Sequence, residues 1–324
     1  MLQIRHNMAL KHKTTIGLGG KTPYYLCIKS ARDMLEFAEL ESKLGIPFNI
    51  LGGGSNLIIA DESLCKELPF GILDIDIVEE ISCRPFIADE KEMLPPLVRE
   101  YLRRGHTHFT ELTVSAGYKI PKLLQFCKEN GLTGLEGLVG IPCRLGGTVA
   151  MNAGAYQTEI SDVLSQVEIF HKNHGIIKCS RKDMELSYRQ SSFFCQGKKL
   201  ENPIILSASF IFPQLDKNIV KNKMEKNLLT KKNTQPIHAR TAGCAFKNPI
   251  NENGEKISAG LLLDKAGLKN IKVNAMQFSK IHASFLENTG DGKTKDAIEL
   301  LNIAKDKVLT LFNIHLEEEV KLWK

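Results

Sequence analysis

Gly134-Leu-Glu-Gly-Leu-Val-Gly-Ile-Pro-Cys-Arg-Leu-Gly-Gly-Thr-Val-Ala-Met-Asn-Ala-Gly-Ala-Tyr156 carries six glycines in 23 residues. That leaves backbone too bare for an ordinary helix or strand. Glycine admits positive φ and lets a ligand lie against peptide N–H groups. A flexible linker would be polar and Gly/Ser-rich, whereas Leu135, Leu138, Val139, Ile141, Leu145, Val149 and Met151 are interleaved here. The stretch therefore reads as a buried, shaped loop system built around something that fills the bare space.

The segment that delivers the chain into this loop, Pro121–Asn130, reads as a helix. It has proline in its first turn, Leu123, Leu124, Phe126 and Cys127 on the buried side, and Asn130-Gly131 as terminator. A second bare stretch lies further upstream, where the apolar run Pro47–Leu51 enters Gly52-Gly-Gly-Ser-Asn56 and leaves through Leu57–Ala60. Its converging N–H groups form a nest suited to phosphate, although a plain hairpin turn is the competing reading. The Lys-Ser/Thr of a P-loop is missing and no G-x-G-x-x-G opens a helix, so neither a Walker site nor an ordinary Rossmann site is supported. Before it, Thr14–Gly20 turns into a strand at Tyr24–Ile28. A helix follows over Asp33–Leu44, with Leu35, Ala38, Leu40 and Leu44 at helical intervals and Gly45 as its stop.

Residues 71–112 read as mixed α/β, with alternation over Ile72–Val78 and a helical pattern over Leu94–Arg104. Strands are expected at Val163–Phe170, Pro203–Phe212 and Ile281–Leu286. Helices are expected over Lys217–Lys232, before Gly267, and from Lys293 to Phe312. Boundaries near residues 70 and 213 give three segments: 1–70, 71–213 and 214–324.

With 324 residues, 43% of them hydrophobic, the chain can bury more than one core. The net charge of +6 is spread along it; a solvated helix face accounts for the Lys217–Lys232 run, and a basic balance suits phosphate-bearing substrates rather than nucleic acid. Eight scattered cysteines without a C-x-x-C pair point to reducing cytoplasm. His106/His108 and His171/His174 sit in polar contexts and read as surface histidines, so no metal is expected. No apolar run approaches about 18 residues, so no membrane insertion is expected.

Taken in order, the motifs resemble those of the UDP-N-acetylenolpyruvoylglucosamine reductase (MurB) family, in its shorter form, over nearly the whole chain. They are Thr15–Gly20, Leu51–Asn56, Gly134–Tyr156, Tyr188-Arg-x-Ser-x-Phe193, Gly243-Cys-Ala-Phe-Lys-Asn-Pro249, Ser258-Ala-Gly260, Ala266-Gly-Leu268 and Glu319-Val-Lys321. The resemblance implies an α+β protein: a two-part FAD-binding fold of the vanillyl-alcohol oxidase type, followed by an α+β substrate-binding domain. It implies that FAD takes hydride from NADPH and passes it to UDP-N-acetylglucosamine enolpyruvate, in a cytoplasmic monomer. Arg189 is implied to grip the substrate carboxylate, Glu319 to polarise it, and Cys244 to supply the proton. The implied flavin contacts are Leu51, Gly52, Gly53, Gly54, Ser55, Asn56, Ser115, Ala116, Gly117, Gly140, Ile141, Pro142, Gly146, Gly147, Thr148, Asn152, Ala153 and Gly154. Tyr188, Lys247, Asn248, Lys265 and His282 are the implied substrate contacts.

Three positions depart from the family pattern. Cys244 stands where serine is usual, and a thiol fills that role as the better acid. Cys143 replaces the glycine of Ile-Pro-Gly, so either that position does not need positive φ or the loop is altered. Arg240 replaces the usual proline. Two other readings compete: a flavin oxidase or dehydrogenase of the same fold, which would not require the Gly-Cys-x-Phe-Lys-Asn-Pro motif, and a non-enzymatic nucleotide-binding module, which would be colourless.

Overall fold

The computed structural model describes residues 2–89, 92–250 and 254–324. They divide into two compact units, each assembled from separated pieces of chain. The first holds residues up to Ile4, 26–53 and 72–229; the second holds 5–25, 54–71 and 230–324. Among the described residues the α-helices are α1 (Ala31–Leu44), α2 (Pro96–Arg103), α3 (Ile120–Asn130), α4 (Leu145–Ala150), α5 (Lys217–Thr234), α6 (Ala259–Lys265) and α7 (Thr294–Phe312).

In the first unit the strands Gly175–Ser180, Leu164–His171, Ile204–Pro213, Phe109–Ser115 and Ser82–Phe86 lie side by side in that order as an antiparallel sheet. The α2 residue Val98 packs with Leu94, Phe109 and Ile211 in one apolar cluster. α3 ends as the sequence predicts: Gly131 takes φ +69°, a left-handed cap that costs glycine little. α1 is capped by Ser30, whose hydroxyl accepts the Asp33 N–H at 3.2 Å, and it stops at the left-handed Gly45. The face it buries differs from the expected one. Met34 and Phe37 are buried while Leu35 is 49% exposed, because Phe37 packs edge-on against Phe48.

The apparent alternation over Ile72–Val78 also has another cause. The strand Gly71–Ile75 is buried throughout, flanked by Lys21–Ile28 and Phe48–Leu51. Its Asp74 is 1% exposed and is neutralised by Arg144, so a polar residue there marks an ion pair and not a solvent face. His171, expected at the surface, is 5% exposed, with its Nδ1 accepting the Asn173 N–H at 3.3 Å where the strand turns.

In the second unit the strands Thr241–Cys244, Phe285–Asn288, Met276–Phe278 and Lys272–Val273 form an antiparallel sheet. α7 lays Ala297, Leu300, Leu301, Ala304 and Val308 on its core, the spacing of one helix face. They pack with Leu263, Phe246, Phe278, Ile16 and Ile58 in a core drawn from all three pieces of the unit. Asp61 starts α7, accepting the Thr294 N–H at 2.9 Å, and Asn313 ends it at φ +53°. The strand expected at Ile281–Leu286 begins only at Phe285. The Ser279 hydroxyl accepts the Ile281 N–H and His282 Nδ1 accepts the Ser284 N–H, so side chains take the donors a ladder would use. The Phe48–Leu51 and Leu57–Ile59 strands are not a hairpin: the first borders Gly71–Ile75 and the second pairs in parallel with Lys321–Trp323.

Candidate functional site

In the first unit, three stretches far apart in sequence meet at bare backbone. A Cβ on Gly53 would lie 3.0 Å from Cys143 Cα and Arg144 N, and one on Gly52 would lie 3.6 Å from Gly147 N. The third stretch is Ser115-Ala116-Gly117: Gly146 N–H donates to the Ala116 carbonyl at 2.8 Å, and Gly117 N–H to Ile77 at 2.9 Å. Arg144 ties this assembly down. Its Nη1 donates to Asp74 Oδ1 at 2.6 Å and to the Ile75 carbonyl at 3.0 Å, and its Nη2 lies 3.1 Å from Asp76. Breaking such a largely buried pair by removing one partner costs about 3–5 kcal/mol.

Gly147 differs from its neighbours in that a Cβ there would meet nothing within 4 Å. Exposed peptide at α4, facing the Gly52-Gly53 turn, is a surface onto which a pyrophosphate fits and a side chain would intrude. The first-unit residues therefore fit FAD. Cys143 is absent from the residues of positive φ whereas Gly140 takes +79°, so the family's glycine at that position is not demanded by backbone conformation. The Cys143 thiol is buried and donates to the Ile141 carbonyl at 3.7 Å.

Some expected flavin contacts spend their side chains inside the protein. Thr148 Oγ1 donates to the Leu145 carbonyl at 2.7 Å. Asn152 is 1% exposed; its Nδ2 donates to Glu159 at 3.1 Å and to the Ser187 carbonyl at 3.0 Å, and its Oδ1 accepts the Ser161 N–H at 2.9 Å. Its side chain holds the loop together. Ala153 and Gly154 follow it, with Ala153 N–H bonded to the Thr148 carbonyl. Ile141 and Pro142 lie at least partly exposed beside Gly140.

Arg189 stands at the tip of a two-residue turn. The strands Met184–Ser187 and Gln190–Cys195 pair with Ser187 opposite Gln190, leaving Tyr188 and Arg189 to reverse the chain. Arg189 takes φ +59°, a left-handed conformation that costs a non-glycine residue roughly 1–2 kcal/mol. The guanidinium lies 5.0 Å over the Tyr188 ring and Nη2 donates to the Gly154 carbonyl at 2.9 Å, while Ser191 Oγ donates to the Val149 carbonyl at 2.6 Å. The turn is thus fastened to the glycine-rich stretch Gly134–Tyr156.

In the second unit the backbone brings Cys244, Glu319 and the end of the Gly52–Asn56 turn together. Cys244 ends a bulged strand opposite Phe285, just after Gly243 at φ +78°. A Cβ on Gly243 would lie 3.8 Å from the Ser55 carbonyl, and Gly54 is pressed against Lys13, where a Cβ would sit 1.9 Å from the carbonyl oxygen. One residue beyond Cys244, the Ala245 carbonyl accepts the Glu319 N–H at 2.8 Å. Phe246 bridges Glu318, and Lys247 N–H donates to the Glu317 carbonyl at 2.9 Å. The tail therefore runs antiparallel beside the Cys-Ala-Phe-Lys segment.

The remaining expected substrate contacts separate. Lys247 forms an ion pair with Glu317, and Asn248 Oδ1 accepts the Ala259 N–H at 2.9 Å at the start of α6. Lys265 is exposed in the last turn of that helix. His282 packs its ring against Gly260, where a Cβ would come within 2.6 Å of Cε1, and edge-on to Phe285 at 5.0 Å. Burial pushes its pKa down, and the Ser284 N–H on Nδ1 fixes the neutral tautomer with its proton on Nε2. Arg240 spans the loop after the Phe285–Asn288 strand, donating to the Asn288 carbonyl at 3.2 Å and the Gly290 carbonyl at 2.6 Å.

Sequence reasoning missed Arg144 and the tail contacts of Asn56. An arginine inside a glycine-rich loop, with Asp74 and Asp76 in an otherwise apolar run, was the available signal for the first.

Comparison with known proteins matches residues 106–180 to the FAD binding domain family and residues 235–323 to the C-terminal domain of UDP-N-acetylenolpyruvoylglucosamine reductase. The reductase of Nitratidesulfovibrio vulgaris is 33% identical over 323 residues, covering 99% of this chain and 99% of that one. That of Aquifex aeolicus is 33% identical over 98% of this chain and 94% of the relative. The crystal structure of the Thermus caldophilus reductase (MurB) superposes over 100% of both chains, with a TM-score of 0.74 and 28% identity.

Proposed function

Because this chain belongs to the UDP-N-acetylenolpyruvoylglucosamine reductase family, we propose that it reduces UDP-N-acetylglucosamine enolpyruvate to UDP-N-acetylmuramate at the expense of NADPH. This is a reduction step in peptidoglycan precursor synthesis. FAD, when bound, supplies the two-electron relay that accepts hydride from NADPH and returns it to the vinyl carbon distal to the carboxylate.

The chain's own residues manage charge and protons. Hydride arriving at the distal carbon pushes electron density toward the carboxylate, and the Arg189 guanidinium offers a planar, two-pronged donor to hold it. Glu319 polarises the same group from the tail. Cys244 delivers a proton from its neutral thiol to the carbon next to the carboxylate, completing the addition of H⁻ and H⁺ across the double bond. Lys247 and Asn248 serve the UDP-sugar from the same segment as Cys244, with Tyr188, Lys265 and His282 as further contacts.

The observation that carries this reading is the Glu319 N–H to Ala245 carbonyl bond, which sets the tail glutamate one residue from the thiol. Anaerobic stopped-flow absorbance on Cys244→Ala and Cys244→Ser tests it. We expect both variants to be reduced by NADPH at the parent rate. Cys244→Ala loses reoxidation by the enolpyruvyl sugar by a factor of about a hundred or more, the range for a lost general acid, while Cys244→Ser keeps appreciable turnover. Parent-like reoxidation in Cys244→Ala would remove Cys244 from the proton step.

A further inference from the structure

Asn56 closes the Gly52–Asn56 turn and stands among the expected flavin contacts, yet its side-chain Nδ2 and its carbonyl are engaged elsewhere. Its Nδ2 donates to the Glu319 carbonyl at 3.0 Å, and its own carbonyl accepts the Lys321 N–H at 3.1 Å. One residue thus grips the tail on both sides of Val320, which is itself 3% exposed.

The geometry explains why a side chain is needed there. The parallel ladder between tail and turn consists of Lys321 opposite Leu57, Leu322 opposite Ile58 and Trp323 opposite Ile59, and the Trp323 carbonyl accepts the Ala60 N–H at 2.7 Å. Backbone pairing stops at residue 321, two residues short of Glu319. On the opposite side the Glu319 N–H is held by Ala245. The Asn56 amide supplies the missing donor for the Glu319 carbonyl, so both polar groups of the residue are fixed and its Cα–Cβ direction with them.

We propose that Asn56 is a positioning residue for the reductase, acting through the Glu319 backbone to aim the glutamate side chain. The inference rests on the proposed role of Glu319 in the second half-reaction. Asn56 follows Ser55 directly, and the Ser55 carbonyl faces Gly243, so the same turn that ends the phosphate nest also borders the Cys244 strand. A donor lost at Asn56 frees the Glu319 carbonyl while the backbone bonds on either side of it remain, so the Glu319–Val320 peptide can reorient without displacing the Cys244 strand.

The test uses purified, flavin-loaded enzyme and the two half-reactions measured separately by anaerobic stopped flow. Asn56→Asp is nearly isosteric and replaces the donor with an acceptor opposite the Glu319 carbonyl; Asn56→Ala simply removes it. We expect either substitution to slow reoxidation by the enolpyruvyl sugar at least tenfold, and far more than it slows reduction by NADPH. In a Glu319→Gln background the same substitution should slow reoxidation by less than threefold further, because the group it aims is already gone. Hydrogen exchange on the same samples should show faster exchange at Val320 and Lys321.

Equal factors on the parent and Glu319→Gln backgrounds, equal slowing of both half-reactions, or colourless protein in both Asn56 variants would each overturn the inference. If Glu319→Gln itself leaves reoxidation at the parent rate, it is the reading of Glu319 that fails. If Glu319→Gln is slow and Asn56→Asp is not, Glu319 stands and the positioning role of Asn56 alone falls.

Discussion

The turn that carries Arg189 and the tail that carries Glu319 fix their residues in opposite ways. Arg189 is presented by a two-residue reversal in which it takes φ +59°, a conformation that favours glycine or asparagine. Glu319 is presented by a chain end held from both sides through ordinary backbone and amide bonds. In the first case the residue proposed to grip the carboxylate opposes the local fold, and the surrounding contacts to Gly154 and Val149 must hold it there. In the second, the proposed role and local stability run together. Substitutions should therefore separate stability from activity at the turn and couple them at the tail.

The largest effect sharpens a similar contrast between two glycines of the first unit. Gly53 is packed against Cys143 and Arg144, whereas Gly147 faces open space. Gly53→Val should lower both thermal stability and flavin content, since overpacking a filled site costs about 1–3 kcal/mol. Gly147→Val should leave the melting temperature of the flavin-free protein unchanged. It should still weaken FAD binding by on the order of a hundredfold or more, the loss of about two charge-assisted contacts. Flavin titration by fluorescence quenching, beside apo-protein melting curves, checks both. Stoichiometric, tightly held FAD in Gly147→Val would move the pyrophosphate site elsewhere.

The next effect breaks the turn itself. Arg189→Lys keeps the charge but not the planar fork, so reoxidation by the enolpyruvyl sugar should fall more than tenfold, the equivalent of about 1.5–3 kcal/mol, while NADPH still bleaches the flavin. A fall of less than about threefold would remove Arg189 as the carboxylate clamp. Arg189→Gly and Arg189→Ala should both be slow in that half-reaction but unequal in stability. The glycine variant relaxes into the left-handed conformation and should be more stable than the alanine variant by roughly 1 kcal/mol in urea unfolding. Equal stabilities would show that the turn carries no strain.

The two regions were not equally legible in sequence. The glycine-rich loop, α3 with Gly131 and α7 follow from glycine placement, apolar spacing and caps, all local signals, whereas the Tyr188–Phe193 motif is legible only through the resemblance to the family. The joining of residues 5–25 and 54–71 to residues 230–324 left no such trace. It rests on a parallel pairing of Lys321 with Leu57 and on side-chain bonds such as that from Thr15 Oγ1 to the Thr241 carbonyl at 2.6 Å, neither of which imposes a period on the sequence. The resemblance implies Asn56 and Asn152 as flavin contacts, and their side-chain amides bond within the protein. A polar residue beside glycines signals a loop with demanding hydrogen bonds, and only geometry tells whether ligand or protein meets them.

The smallest effect concerns His282, where burial against Gly260 and Phe285 pushes the pKa below the ordinary histidine value near 6.5. Neighbouring charges act in opposite directions, Lys269 lowering it further and Asp264 raising it. The unfolded chain therefore takes up this proton before the folded one does. Stability is fully present above about pH 6.5 and falls as pH drops below that value toward the lowered one. His282→Gln removes the titrating group, so its urea midpoint should decline less than the parent's between pH 7.5 and pH 5.5. Comparing the slopes of parent and variant cancels other groups, including Asp162, whose pKa burial pushes up and whose contribution runs the other way. Parallel slopes would mean that the imidazole protonates with equal ease in the folded and unfolded chain, and that its packing against Gly260 opens freely to solvent.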